Sequence, residues 1–310
     1  FGPNPMPFHL LTLLLHGINA ALLFAVLVLL VQRTRETALT PVQLDCCAIA
    51  ALVWSLHPLR VEAVAWVNCQ IYTQSFFFLL LSLLLYLRAA RHPQPMRSRS
   101  YWSAVVLYLC SLLTYPTALA FVMVLLAVDF FPLKRLDFSH WQAVGNRAVF
   151  LEKIPFAALA LAVGGIALWA RSNAAGMWSE YSDASRLGPM NQAAQAFYVW
   201  AYYLWKPFDL LHQSPVYTQL VKFHWIEWPF LVSSALVLGI SALLVLNRRR
   251  YPVLAMGWIC YLALLVPMLG LTEHPHYPND RYSYIVSTLF SALIAFGLVR
   301  LMEKRPQRML

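Results

Sequence analysis

Nine apolar runs, at about 8–31, 42–56, 71–88, 101–114, 116–131, 151–170, 229–247, 252–271 and 282–300, follow one another along this 310-residue chain with mostly short polar connections between them. A helix needs roughly 20 apolar residues to cross the hydrocarbon core of a bilayer. A chain that repeats runs of this kind is expected to fold as an all-α polytopic membrane protein with about nine transmembrane helices, several of them tilted or half-length. Composition agrees, with 60% hydrophobic and only 12% charged residues, 11 Trp and 15 Tyr. There is no internal repeat, low-complexity tract or soluble module in the sequence, so residues 1–310 read as one transmembrane domain.

The net charge of +10 does not point to nucleic acid, because the basic residues sit in short connections between apolar runs instead of on a folded basic face. Of the 23 basic residues, only Arg60, Arg171, Arg186, Lys206, Lys222 and Arg281 fall on the connections after the even-numbered runs. The positive-inside bias then places His57, Tyr115, 171–228 and 272–281 on the outer face and the C-terminus in the cytoplasm, which in a bacterium means the inner membrane. The 171–228 connection holds a stretch near 190–206 that could pass as a span, but a crossing there would move Arg248, Arg249 and Arg250 to the wrong side. Its Tyr and Trp density fits a helix lying at the interface of the outer face. The five cysteines lack CxxC spacing and carry no redox signal. A start at Phe1, followed by Gly-Pro-Asn-Pro, reads as the interior of a longer sequence.

Charges beside membrane spans are costly, so the few that occur are the candidates for function. In His57-Pro58-Leu59-Arg60-Val61-Glu62, proline breaks the chain as it leaves the membrane. The planar fork of Arg60 suits a phosphate or carboxylate, and Glu62 either pairs with it or acts alone. Tyr115-Pro116 interrupts a long apolar run and places a phenol on the outer face, near substrate or at headgroup level. Asp280 opens the last run, where a carboxylate favours a helix N-terminus and leaves Arg281 free to meet an anionic headgroup, with Tyr282 beside it. His274 and His276 form a His-x-His with carboxylates nearby, a weak divalent-metal pattern, and no other cofactor is expected. Finally, His9, Thr12, His16 and Asn19 share one face of the first run, a polar seam that either holds the bundle together or lines a substrate path.

Four stretches carry a family likeness: Gly2 to Asn19, His57 to Val67, Pro116 to Leu133, and Pro267 followed by Asp280-Arg281-Tyr282-Ser283-Tyr284. In this order they resemble the transmembrane core of the GT-C type membrane glycosyltransferases that carry TPR repeats, the transmembrane-and-TPR protein O-mannosyltransferases and their bacterial relatives. The resemblance implies a GT-C fold that takes a polyprenyl-phosphate-linked sugar at the outer leaflet and passes it to an acceptor. His57, Arg60, Glu62, Tyr115, Asp280, Arg281 and Tyr282 are the implied substrate-binding positions. The family's catalytic acid lies in a loop that would precede Phe1, and its TPR array would follow Leu310. Where bacterial relatives show a charged run, this chain reads Asn68-Cys69-Gln70, and Tyr115 stands where a Lys is common. Two functions follow as expectations: a transferase core, or a non-catalytic relative serving as a subunit or scaffold of a larger membrane complex. Membrane lipids and other membrane subunits are the expected partners.

Overall fold

The computed structural model describes residues 4–35, 37–136, 144–174, 187–214, 217–271 and 276–304, and every regular element among them is helical. We number the helices α1 Met6–Gln32, α2 Pro41–Ser55, α3 Val61–Ala65, α4 Gln70–Ala89, α5 Arg99–Thr114, α6 Phe121–Phe130, α7 Val144–Leu151, α8 Ile154–Ala174, α9 Pro189–Trp205, α10 Trp228–Leu246, α11 Pro252–Leu265, α12 Ser283–Val286 and α13 Thr288–Lys304. Each apolar run of the sequence contains helix. By length and composition, four helical segments can cross a membrane: Met6–Gln32, Val67–Ala89, Gly145–Arg171 and Trp228–Leu246. The number rises to six if two bent pairs, Pro41–Ser55 with Pro58–Ala65 and Asp280–Val286 with Thr288–Glu303, each count as one span. Phe121–Phe130 and Pro252–Met268 are apolar but shorter.

Local chemistry sets many of the boundaries. Thr40 and Gln43 form a reciprocal capping box at the start of α2, and Pro41 takes the first helical position, where a missing N–H costs nothing. Ser98 caps α5 by accepting from the Tyr101 N–H. The α2–α3 break, at 59°, follows from Pro58, which starts a separate 3₁₀ turn over Pro58–Arg60. Helix α9 begins after Gly188, whose φ of +76° is available to glycine at little cost.

Helix α4 packs between α1 and α5, α2 lies against α13 and α1, α6 against α11, and α9 against α10. The rings of Tyr86, Tyr101, Tyr108, Phe121 and Phe156 join α4, α5, α6 and α8 in a buried aromatic cluster with several edge-to-face contacts. At one end of this cluster lies a group of charges that the sequence did not single out. Asp129, fully buried, accepts from Arg135 Nη1 at 2.8 Å and Tyr86 Oη at 2.6 Å and pairs with Lys153 Nζ at 2.5 Å. The other guanidinium nitrogen of Arg135 forks onto both carboxylate oxygens of Glu152, at 2.7 and 2.8 Å. Two acids and two bases thus cancel, and α4, α6, the α6–α7 connection and the α7–α8 junction meet there.

Removing one member of a buried ion network leaves an uncompensated charge, at a cost of about 3–5 kcal/mol. Asp129→Asn is therefore expected to lower the melting temperature in detergent clearly. The neutral pair Asp129→Asn with Lys153→Met should recover part of the loss, and an unchanged melting temperature for the single variant would show that the network carries no stability.

Candidate functional site

The opposite end of the bundle, where α1 begins and α2 ends, gathers residues from three distant parts of the chain. His57 starts the break: its Nδ1 accepts from the Leu59 N–H at 3.2 Å, and the proton on Nε2 is donated to the Pro207 carbonyl at 2.8 Å. Both ring nitrogens are occupied, so His57 fastens the α2–α3 turn to the segment after α9 and holds one tautomer.

The turn places Arg60 and Glu62 on different sides, because residues two apart do not face each other on a helix. Arg60 points inward and is 3% exposed. Its Nη2 donates to Ser283 Oγ at 2.9 Å, and its guanidinium lies 5.6 and 5.5 Å from the ring centres of Trp54 and Tyr284. Nε and Nη1 meet no hydrogen-bond acceptor among the described residues. Glu62 pairs with Arg281 and not with Arg60. Its Oε1 takes the Arg281 Nη1, and its Oε2 accepts from the Arg281 backbone N–H at 2.8 Å. The carboxylate thereby caps the Asp280–Tyr282 turn as well as neutralising the guanidinium. Arg281, which the sequence suggested was free, is thus held by an internal anion. It is also surrounded by the rings of Trp66, Tyr72 and Tyr282, 5.1 to 5.9 Å away, a geometry suited to cation–π attraction.

Tyr115 joins the same group through a relay: Arg281 Nε donates to Tyr72 Oη at 3.3 Å, and Tyr72 donates to Tyr115 Oη at 3.3 Å. Tyr72 is the functional-site residue that sequence reasoning missed. It is the second residue of an apolar run, and only the fold brings it between Arg281 and Tyr115. Asp280, buried, accepts from Tyr217 Oη at 3.1 and 3.3 Å. Tyr217 lies against Lys206, which donates to Asp209 Oδ2 at 3.2 Å and to the His212 carbonyl. The His212 imidazole, its backbone N–H and Lys206 hold the Asp209 carboxyl down at about 2, so this anchor stays charged until the pH falls toward that value.

A cleft of about 410 Å³ opens beside these residues, lined by Glu62 and Asp280, by Trp66, Pro58, Val61 and Ala65, and by Gln213 and Ser214 of the segment after α9. Its size is in the range of small-molecule sites. The polar seam divides. His9 is exposed, and Thr12 is buried but bonds only the Phe8 carbonyl of its own helix. His16 and Asn19 reach across the bundle: Asn19 Nδ2 donates to Tyr284 Oη at 3.3 Å and to the Thr73 carbonyl at 2.8 Å. Tyr284 donates to His16 Nδ1 at 2.7 Å, and His16 Nε2 donates to the Ser55 carbonyl at 3.0 Å. His274 lies outside the described residues, whereas His276 is buried and stacks on Tyr282. Among the described residues no group of three metal-ligating side chains is found.

No protein-family model matches the chain, and neither a curated protein nor a solved structure does so. The chemistry of the cleft therefore rests on its own geometry.

Gly270 supports this geometry from behind. It adopts φ of +67°, and a Cβ there would come within 2.4 Å of the His276 ring and 2.6 Å of Gln195 Nε2. Gln195 itself donates to the carbonyls of Leu269 and Gly270. Gly270→Ala combines a left-handed backbone with a clash against two buried side chains, so a loss of about 1–3 kcal/mol is expected from thermal melts. Wild-type stability in that variant would show that the His276–Tyr282 stack tolerates displacement.

Proposed function

We propose that this chain is the core of a GT-C-like membrane glycosyltransferase that binds a polyprenyl-phosphate-linked sugar at the outer leaflet and presents it to an acceptor. The observation that carries this reading is the two-part character of one segment. At its start, Asp280 lines the cleft and Arg281 stands beside it. Further along, Ile285, Thr288, Leu289, Ala292, Leu293 and Phe296 line a partly open apolar cavity of about 390 Å³, whose other walls come mainly from α1, α4, α6 and α11. A ligand with an anionic head and a long hydrocarbon tail matches that sequence of environments.

In this reading Arg281 receives the phosphate as a charge-assisted fork, exchanging Glu62 for the ligand, and the ring faces of Trp66 and Tyr282 offer stacking surface to a sugar. Negative charge grows on the leaving phosphate during transfer, and a fixed guanidinium stabilises it. Glu62 positions Arg281 before the ligand arrives. Arg60 adds positive potential from below, and His57 keeps the turn closed. About nine spans, with the C-terminus in the cytoplasm of a bacterial cell and α9 lying along the outer interface, complete the arrangement. A specific observation favours the second reading, a non-catalytic subunit of a larger membrane complex: Arg281 is already neutralised by Glu62, and Asp280 is already hydrogen-bonded by Tyr217.

Binding to the protein in nanodiscs tests the proposal. A polyprenyl phosphate should bind at least ten-fold more tightly than the corresponding polyprenol. Glu62→Gln should tighten phosphate binding several-fold by removing the competing anion. Arg281→Ala leaves Glu62 buried alone, so the neutral double variant Arg281→Ala with Glu62→Gln is the better probe, and it should abolish the preference for phosphate. Equal binding of phosphate and alcohol by the wild-type protein would sink the lipid-phosphate assignment. Selective binding with no sugar transfer to any acceptor by the full-length protein would favour the subunit reading.

A further inference from the structure

A second cleft lies at the other end of α5, far from Arg281. Tyr115 follows the last residue of this helix and belongs to the Arg281 group, whereas Arg97 and Arg99 stand at its beginning. The helix has 16 residues, about 24 Å of rise, so the two clefts occupy opposite ends of the bundle. This one, about 680 Å³ and open to the outside, is lined by Arg97, Arg99, Ser98, Ser103 and Trp102, with Val106 and Leu107 below.

Three observations give it a ligand class. Its charge is of one sign: both arginines are exposed, and among the described residues neither is in an ion pair with a carboxylate. No Asp or Glu occurs in the chain between Glu62 and Asp129, so the surrounding sequence supplies no local counter-ion. Below the arginines, the same helix face continues apolar and uncovered, with Trp102 50%, Val106 57% and Leu113 70% exposed at spacings of four and seven. The opposite face, Tyr101, Ala104, Tyr108 and Leu112, is buried against the bundle. Trp102 is fixed at the boundary between the two zones, its indole N–H donating to the Met96 carbonyl at 2.9 Å. A basic rim, an anchored interfacial indole and an apolar strip running down from it match the order of headgroup, glycerol and acyl chain in a phospholipid.

We infer that Arg97, Arg99 and Trp102 form a binding site for an anionic phospholipid of the leaflet opposite the Glu62–Arg281 cleft. The two guanidinium groups engage the headgroup phosphate, and the acyl chains lie along Trp102, Val106 and Leu113. This site is independent of the proposed transferase chemistry.

The test uses the full chain in nanodiscs that mix phosphatidylglycerol with phosphatidylcholine. Native mass spectrometry should show phosphatidylglycerol retained in preference to phosphatidylcholine. The preference should fall roughly five-fold for each arginine changed to alanine. Arg97→Lys with Arg99→Lys keeps the charge and controls for misfolding; it should retain most of the preference. Phosphatidylglycerol brominated on its acyl chains should quench the fluorescence component lost in Trp102→Phe, and brominated phosphatidylcholine should quench it less. Equal retention of the two lipids by the wild-type protein would overturn the inference, as would an undiminished preference in the double alanine variant. Competition by soluble glycerol phosphate as effective as by the lipid would show that the apolar strip contributes nothing.

Discussion

A charge withdrawn from water costs several kcal/mol unless an opposite charge or a set of hydrogen bonds meets it, and both ends of this bundle are organised around that cost. Among apolar helices, hydrophobic burial gives little direction, because one leucine face is as good as another and lipid competes for all of them. Ionic groups are different, since each must find a particular partner. At one end Glu62 finds Arg281, 219 residues away, and in doing so ties the α2–α3 turn to the start of the last helical segment. At the other end Asp129, Arg135, Glu152 and Lys153 neutralise one another where α4, α6 and the α7–α8 junction converge.

Between these ends a directional polar chain sets the register. Asn19 donates to Tyr284, Tyr284 donates to His16, and His16 donates to Ser55, so each proton has one place to be. Tyr284 also packs against Trp54 and Phe76 and lies beneath the Arg60 guanidinium. The interior is therefore coupled to the cleft through Tyr284, four residues past Asp280. A ligand that displaced Glu62 from Arg281 would act on the same short segment that anchors this chain of hydrogen bonds.

Part of this was legible in the sequence. Apolar runs of helical length announced an all-helical bundle, and proline at 58 and 116 marked breaks that the structure retains. Glu62 and Asp280 of the cleft, and Tyr115, Arg281 and Tyr282 beside it, were visible as polar groups at the edges of apolar runs, and the fold does bring them together. What the sequence left wrong or open was who pairs with whom. Arg60 and Glu62 are close in the chain yet face apart, and the stripe from His9 to Asn19 is continuous in sequence but only His16 and Asn19 hydrogen-bond across the bundle. Tyr72 and the Asp129 network carried no local signal, because their meaning depends on partners dozens of residues away.

The sequence by itself determined the helices, because run length, proline position and capping side chains are local properties that act before any tertiary contact exists. Only the tertiary structure decided that Arg281 is held by Glu62, that Arg60 is buried against Trp54, Ser283 and Tyr284, and that Arg97 and Arg99 at the far end meet no carboxylate among the described residues. The reason is that electrostatic pairing depends on distance in space, and helices of similar apolar character can be assembled with many different neighbours. The charges exclude most of those assemblies, and they can do so only once the helices are packed.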